Sequence, residues 1–300
     1  MNSNIPNIFA TLSSAEKTRL YREQIEDERQ QRMEAHRQAI AAHRKLMAAL
    51  PPGTPQPLNL YAGGDSWFDY PLPAFQHTDV MAQLPGVSAR PPFILNLAHH
   101  GDEARDKLGV QQRQRIEYSL THPEHGPFDA ILFSGGGNDT VGDQFCLWLN
   151  DAAGTNPTHA LNLPRLNHVI DVVRSAYEDL ISIRDRLFPL IPVFIHGYDF
   201  AIPTGISVCG FGPWLKPSLE YRHWTNQTIN TQIVHACLLQ FDALMQQIEK
   251  AHKNVIYVRT QGTLGASDWS NELHPNPAGF AQIAKKFLAA LRARFGPASI

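Results

Sequence analysis

Five short apolar runs, separated by segments with helical patterning, constrain the fold of this chain more than any other feature of its sequence. Runs of this length that are rich in β-branched and apolar residues are typical of buried strands. Strands that alternate with helices favour a parallel sheet covered by helices on both faces. The predicted strands are Leu58 to Tyr61, Phe93 to Leu97, Ala130 to Phe133, Pro192 to Ile195 and Val255 to Val258.

Three segments between and after these strands have the clearest helical patterns. Two of them carry apolar residues three or four positions apart, which predicts core-facing stripes. The stripes are Leu166, Val169, Val173, Tyr177, Leu180 and Leu187, and then Ile229, Ile233, Cys237, Phe241, Leu244 and Ile248. The last helix is predicted to begin at Asn276 as N-cap, with Pro277 in its first turn, and to end near Gly296.

The segment before the first strand has a different character. From Ser13 to Leu50 it is dense in charged residues and alanine, and Ser13 with Glu16 forms a capping-box pattern. Its apolar residues are sparse, so the predicted helix is either a solvated arm or a surface that packs on a partner or a second copy of the chain. We therefore divide the chain into an N-terminal charged helical arm, residues 1–53, and a single domain, residues 54–300.

Composition excludes several classes of function. The 300 residues carry a formal net charge of −2, with 43% hydrophobic residues, which is typical of an ordinary globular chain. No strong positive field is available for a nucleic acid or an anionic membrane. No run approaches eighteen uninterrupted apolar residues and no signal-peptide pattern opens the chain, so we expect no membrane insertion and a cytoplasmic protein.

Candidate catalytic residues follow four of the five predicted strands. In open α/β sheets, ligands bind outside the carboxyl ends of the strands. Two glycines lead from the first strand into Ser66, a candidate exposed nucleophile, and Gly101 follows the second strand. A glycine-rich turn after the third strand presents Asn138, and His274 stands just before the last helix. A serine and its general base can meet at this edge of the sheet.

These blocks read G-D-S, a lone glycine, G-G-N-D and L-H-P, in that order. Over roughly Leu58 to Phe295 the chain resembles the SGNH hydrolases, also called GDSL esterases and lipases. The resemblance implies a flavodoxin-like three-layer sandwich, with a five-stranded parallel sheet of order 2-1-3-4-5. It also implies that Ser66 is the nucleophile, that His274 is the base, and that the Ser66 N–H, the Gly101 N–H and the Asn138 amide form an oxyanion hole.

The family has a third catalytic residue that orients the histidine, and at that position this chain departs from the family pattern. The family has an aspartate three residues before its histidine, whereas this chain has Asn271 there, with Asp268 and Glu272 nearby. An asparagine oxygen can hold an imidazole tautomer but does not supply the charge that stabilises imidazolium. We therefore favour Asp268 as the residue that orients His274, then Asn271, and then a dyad without a third member, while Glu272 also stays a candidate.

Aromatic residues near these blocks are candidates for substrate binding. Trp67 and Phe68 follow the nucleophile, and Trp214 lies in the connection after the fourth strand. They are predicted to line an acyl or aromatic pocket, although packing of loops on the sheet would explain them equally well.

A metal site is the less favoured interpretation of the remaining histidines and aspartates, because no paired metal-ligand spacing is present. The residues concerned are His99, His100, Asp102, His196 and Asp199. We expect no metal, nucleotide or other cofactor.

The sequence therefore predicts a serine hydrolase for carboxylic esters of small or medium size, with possible oligomer formation through the N-terminal helix. Two alternatives stay open: a thioesterase or acyltransferase that uses the same site, and a catalytically silent relative that binds a partner.

Overall fold

The five predicted strands form one sheet in the computed structural model, which describes residues 13–70, 79–101, 103, 109–207 and 212–300. The strands are β1 (Asn59–Gly64), β2 (Phe93–Asn96), β3 (Ala130–Ser134), β4 (Val193–His196) and β5 (Val255–Val258). Their order is β2-β1-β3-β4-β5, and every neighbouring pair is parallel. This confirms the predicted α/β class and the 2-1-3-4-5 order.

Helices connect the strands and cover the sheet. They are α1 (Ser14–Ala48), α2 (Val80–Val87), α3 (Val110–Thr121), the single turn α4 (Gly137–Thr140), α5 (Leu163–Leu187), α6 (Lys216–Tyr221), α7 (Gln227–Ala251) and α8 (Pro277–Phe295). Asn276 caps α8 by accepting a hydrogen bond from the Gly279 N–H, and the helix ends at Gly296, as predicted. None of the helices in the described ranges is long and apolar enough to cross a membrane.

Two layers of helices follow from the strand order. After β2 the chain returns past β1 and adds strands on the other side, so right-handed crossovers place the helices before and after this reversal on opposite faces. In agreement, α2 packs against α8, whereas α5 contacts both α3 and α7. The apolar stripes of α5 and α7 are buried against the sheet, with Val173 and Ile248 fully enclosed.

Helix α1 is not a free arm along its whole length. It begins with the predicted capping box of Ser13 and Glu16, and it packs along β2, an edge strand of the sheet. His36 and Ile40 are buried at this contact, and His36 Nε2 lies 2.9 Å from Asn59 Oδ1. Neither interpretation that the sequence left open describes this part of the helix, because the surface on which it packs is the chain's own sheet. Covering an edge strand also protects its unpaired backbone groups from other chains.

Candidate active site

Ser66 lies in a tight turn at the carboxyl end of β1. The backbone N–H groups of Phe68 and Asp69 both donate to the carbonyl oxygen of Asp65, at 3.0 and 3.1 Å, which closes the turn. Gly64 enters it with a φ of +137°, and a Cβ there would stand 1.9 Å from the carbonyl oxygen of Ser134. Only glycine permits this close approach of β1 and β3, so the local sequence determines where Ser66 is presented.

The fold brings His274 to this serine from the other end of the sequence. His274 lies in the loop between β5 and α8, and its Nε2 is 2.7 Å from Ser66 Oγ. Both side chains are largely buried, with 7% of Ser66 and 6% of His274 exposed. A serine hydroxyl within hydrogen-bond reach of an imidazole is the arrangement that activates a serine for nucleophilic attack.

Asn271 holds the other nitrogen of this imidazole. Its Oδ1 is 3.1 Å from His274 Nδ1 and also accepts the backbone N–H groups of Leu273 and His274. Because backbone N–H groups only donate, they fix which end of the Asn271 amide faces His274. The imidazole then carries its proton on Nδ1 and presents an unprotonated Nε2 to Ser66.

The preference for Asp268 as the residue that orients His274 is wrong in the structure. Asp268 ends a short 3₁₀ turn, and its Oδ2 accepts the Gly265 N–H at 2.8 Å instead of approaching the imidazole. The carboxylate satisfies a backbone donor at the start of its own turn, which leaves Asn271, three residues before His274, as the residue in contact.

Glu272 is neither exposed nor directed at His274. Its fully buried carboxylate accepts four backbone N–H groups, from Gly205, Trp214, Leu215 and Lys216. It ties the connection after β4 to the loop that carries His274. Sequence reasoning missed this role, since only the folded chain shows which distant N–H groups converge on the carboxylate.

The surroundings of His274 favour the neutral imidazole. Burial lowers the pKa of His274 to about 3, and the nearby His100 acts in the same direction. The Tyr70 ring stacks on the imidazole at a centroid distance of 4.1 Å, and its hydroxyl accepts a hydrogen bond from the Asn271 amide. Trp214 packs edge-on to the imidazole at 5.5 Å. These contacts keep water from the ring and fix its plane.

The glycine-rich turn after β3 places Asn138 beside Ser66. Gly136 has a φ of +96°, and a Cβ there would lie 2.6 Å from the Val173 side chain, so the turn needs glycine at this position. The Gly137 N–H donates to the Tyr198 hydroxyl at 2.9 Å. Asn138 is half-buried and lines the same pocket as Ser66 and His274.

A buried network joins the serine turn to the asparagine turn. The Asp65 carboxylate accepts hydrogen bonds from the Ser134 hydroxyl, at 2.6 Å, and from the Tyr198 hydroxyl. Burial, together with the charge of Asp65, raises the pKa of Tyr198 well above its ordinary value, so the phenol remains a donor. Tyr198 was missed by sequence reasoning, and its only signal is its place just after β4.

Gly101 differs from the other three predicted residues in its surroundings. It follows β2 with a φ of +78° and is exposed. It is not one of the described residues that line the pocket with Ser66, Asn138 and His274. The structure therefore brings together three of the four blocks.

The three predicted aromatic residues have different positions. Trp67 lines the pocket, and its indole N–H donates to the Leu273 carbonyl oxygen at 3.1 Å. Trp214 is half-buried beside His274. The prediction for Phe68 is wrong, because it is fully buried on the face of the sheet that α8 covers, where it stacks on His196.

The candidate metal ligands of the sequence contact other groups of the protein. Asp102 lies outside the described residues. The Asp199 carboxylate accepts the backbone N–H groups of Phe200, Gly262, Thr263 and Leu264. His196 lies among aromatic rings, and its Nδ1 accepts the Tyr198 N–H. Within the described ranges, no three histidine, cysteine or acidic side chains converge as a metal site would require.

Comparison with known proteins gives distant structural similarity only. No protein-family model and no curated protein sequence matches the chain. Among solved structures it is similar to the lipase Lip_vut3 from a goat rumen metagenome, with 14% identity over 78% of this chain and 97% of the other, and a TM-score of 0.49. It is also similar to an extracellular lipase from Streptomyces rimosus, with 14% identity, 79% and 99% coverage, and a TM-score of 0.49.

A carbohydrate esterase of family 3 from Talaromyces cellulolyticus is a third such structure, with 15% identity, 79% and 97% coverage, and a TM-score of 0.42. Similarity at this level concerns the fold alone. The chain's own parallel sheet has the 2-1-3-4-5 order that the resemblance to the GDSL/SGNH hydrolases implies, and the G-D-S, G-G-N-D and L-H-P blocks follow its strands.

Proposed function

We propose that this protein is a serine hydrolase that cleaves carboxylic esters through an acyl-enzyme on Ser66. The observation that carries the proposal is the 2.7 Å contact between Ser66 Oγ and His274 Nε2, with His274 Nδ1 held by Asn271. The contact lies at an apolar pocket that Asn138 also lines. Nucleophile, base, orienting group and a polar donor are thus supplied by three separate parts of the chain, since His274 and Asn271 share one loop.

In the proposed reaction, His274 Nε2 takes the Ser66 proton while Oγ attacks the ester carbonyl carbon. The carbonyl oxygen becomes an oxyanion, which the Ser66 N–H and the Asn138 amide stabilise by hydrogen bonds. The Ser66 N–H is suited to this role, because it makes no hydrogen bond with the described residues. We assign the Gly101 N–H to the same hole from the family resemblance.

Collapse of this intermediate breaks the bond to the leaving alcohol, which receives the proton from His274. Water then attacks the acyl-enzyme while His274 accepts its proton. Collapse of the second intermediate returns that proton to Ser66 and releases the carboxylic acid. Each of the two half-reactions begins with Nε2 unprotonated, and the low pKa of His274 provides this down to acidic pH.

The test of the proposal is covalent labelling combined with turnover. We expect the protein to hydrolyse p-nitrophenyl acetate and to react with a fluorophosphonate, with the adduct found by mass spectrometry on the peptide that contains Ser66. Protein unfolded in urea is the control and should not be labelled, since the reactivity comes from the geometry at His274. A folded protein with neither turnover nor adduct would contradict the proposal.

Replacing Asn271 by aspartate should move the pH profile of the enzyme in a predictable direction. A carboxylate beside Nδ1 favours the charged imidazolium and raises the pKa of His274, by about one to three units for a close pair. The acid limb of kcat/KM should therefore lie below pH 6.5 in the wild type and shift upward in Asn271→Asp. Initial rates from pH 4 to 9 measure both limbs.

Asp268→Asn is the matched control for that experiment. The substitution keeps the size of the side chain and an oxygen that can accept the Gly265 N–H. This hydrogen bond is made to a residue 3 positions away in the chain and not to the imidazole. We expect the acid limb to stay in place and kcat to change only a few-fold. A displaced acid limb in Asp268→Asn, with none in Asn271→Asp, would show that Asp268 and not Asn271 acts on His274.

Arg32 of helix α1 is a positioning residue for this site. Its guanidinium donates to the Ala98 carbonyl oxygen at 3.0 Å and to Asp69 Oδ1 at 2.8 Å. Asp69 closes the Ser66 turn, and Ala98 lies on the exit of β2 that leads to Gly101. One side chain of the N-terminal helix thus joins the nucleophile turn to the second block.

Arg32→Met should reduce kcat by about tenfold to a hundredfold, the range expected when reacting groups are displaced by a fraction of an ångström to 1 Å. KM should change less, and Arg32→Lys should recover part of the loss through its single charge. Arg37→Met, on the same helix with an exposed 3.5 Å ion pair to Glu124, is the control and should stay near wild type. Equal losses in both variants would show that only helix docking matters.

A further inference from the structure

The pocket beside Ser66 is built mainly from apolar side chains that come from several parts of the fold. Besides Ser66, Asn138 and His274, its walls include Val141, Phe145, Ala201, Leu215, Val234, Cys237 and Leu238. Its two carboxylates offer nothing to a ligand, since Asp65 and Asp199 accept hydrogen bonds from groups of the protein. The part away from the serine therefore suits a hydrocarbon group.

The pocket is also small. Its volume is about 50 Å³. One water needs about 10–15 Å³ on the same scale, so the pocket has room for roughly three to five groups of that size. A straight hydrocarbon chain of six or eight carbons would have to displace packed side chains, and such overpacking is costly.

We propose that this pocket holds the acyl group of the substrate and limits it to short chains of roughly two to four carbons. The inference rests on the proposed ester hydrolysis at Ser66. It identifies the substrate class as esters of short-chain carboxylic acids and assigns acyl selectivity to the apolar wall of the pocket.

The acyl group fits this pocket better than the alcohol does. The acyl group stays bonded to Ser66 between the two half-reactions, whereas the alcohol must leave and water must enter beside His274. A pocket that apolar side chains line on several sides suits the group that stays. The other face of the imidazole is bordered by Tyr70 and by half-buried Trp214, which do not line this pocket.

Helix α7 provides the part of the wall that substitution can change most directly. Val234, Cys237 and Leu238 lie three and four positions apart, on one face of the helix, and all three line the pocket. The next residue, Leu239, is 50% exposed and points away from it. Leu238→Ala and Leu239→Ala therefore remove the same atoms from the same helix, inside and outside the pocket.

The test compares kcat/KM for p-nitrophenyl esters of two, four, six and eight acyl carbons. In the wild type we expect a decrease of roughly tenfold to a hundredfold between four and eight carbons. Leu238→Ala should raise the value for the longer esters by about tenfold relative to acetate, and Leu239→Ala should not. Ala201→Val should reduce turnover of the butanoate more than that of the acetate, which tests the same wall without making a cavity.

A second series keeps the acetyl group and enlarges the alcohol, from p-nitrophenol to 1-naphthol and 4-methylumbelliferone. If kcat/KM depends on the size of the alcohol, and Leu238→Ala changes that dependence, then the alcohol occupies the pocket and the inference is overturned. Turnover that is equal or greater for eight acyl carbons would also overturn it, while leaving ester hydrolysis at Ser66 intact. If no ester is turned over and Ser66 is not labelled, the proposed function fails and the inference fails with it.

Discussion

Ser66→Ala should abolish nearly all esterase activity, with kcat lower by about 10⁴-fold or more, because the proposed acyl-enzyme forms on Ser66 Oγ, which contacts His274. His274→Ala should lose nearly as much, since Ser66 then has no base within reach. The measurement is hydrolysis of p-nitrophenyl acetate at saturating substrate, with circular dichroism to show that each variant is folded. Fluorophosphonate labelling should disappear in Ser66→Ala.

The combined variant tests whether the two residues act as a unit. If Ser66 and His274 act in one step, the double substitution costs no more than either single one. Ser175→Ala, at an exposed serine of helix α5, is the matched control and should keep wild-type activity. Losses that multiply in the double variant would mean that the two groups act independently, against the 2.7 Å contact between them.

Asn138→Ala should lower kcat by about 10²–10³-fold, which corresponds to about 3 to 4 kcal/mol of transition-state stabilisation. The Asn138 amide is assigned to the oxyanion, which exists only after attack has begun, so KM should change little. Steady-state kinetics with p-nitrophenyl acetate separate the two constants. The rate of phosphonylation at Ser66 should fall as well, because the phosphonyl oxygen occupies the same site.

Asn167→Ala is the control for this prediction, because Asn167 is an exposed asparagine on helix α5. It should leave kcat and the unfolding temperature near wild-type values. A large rise in KM with an unchanged kcat in Asn138→Ala would assign Asn138 to ground-state binding. It would remove the amide from the oxyanion hole.

The sheet and the pairing of Ser66 with His274 could be predicted from the sequence because they depend on local patterns and on topology. Apolar runs of four or five residues mark the strands, and the carboxyl ends of parallel strands meet at one edge. Two glycines before Ser66 and an N-capped helix after His274 mark where each side chain leaves the regular structure. The sequence therefore predicts the pairing of two residues that are 208 positions apart.

Choices among neighbouring polar side chains could not be predicted in this way. Asp268, Asn271 and Glu272 lie within five positions, yet one satisfies its own turn, one holds the imidazole and one gathers four N–H groups from a distant connection. Hydrogen bonds need atoms placed to within a few tenths of an ångström, and only the folded loop fixes such positions. Charge made Asp268 the better candidate, but loop geometry made Asn271 the partner.

The sequence by itself therefore determined the order of strands and helices and the positions of Ser66 and His274, because these follow from short-range periodicity and the sheet topology. Only the tertiary structure decided that Asn271 contacts His274, that Phe68 belongs to the core, and that helix α1 packs on β2 and reaches the Ser66 turn through Arg32. Each of these depends on which surfaces meet when distant segments pack. Such contacts leave no periodic signal in the chain.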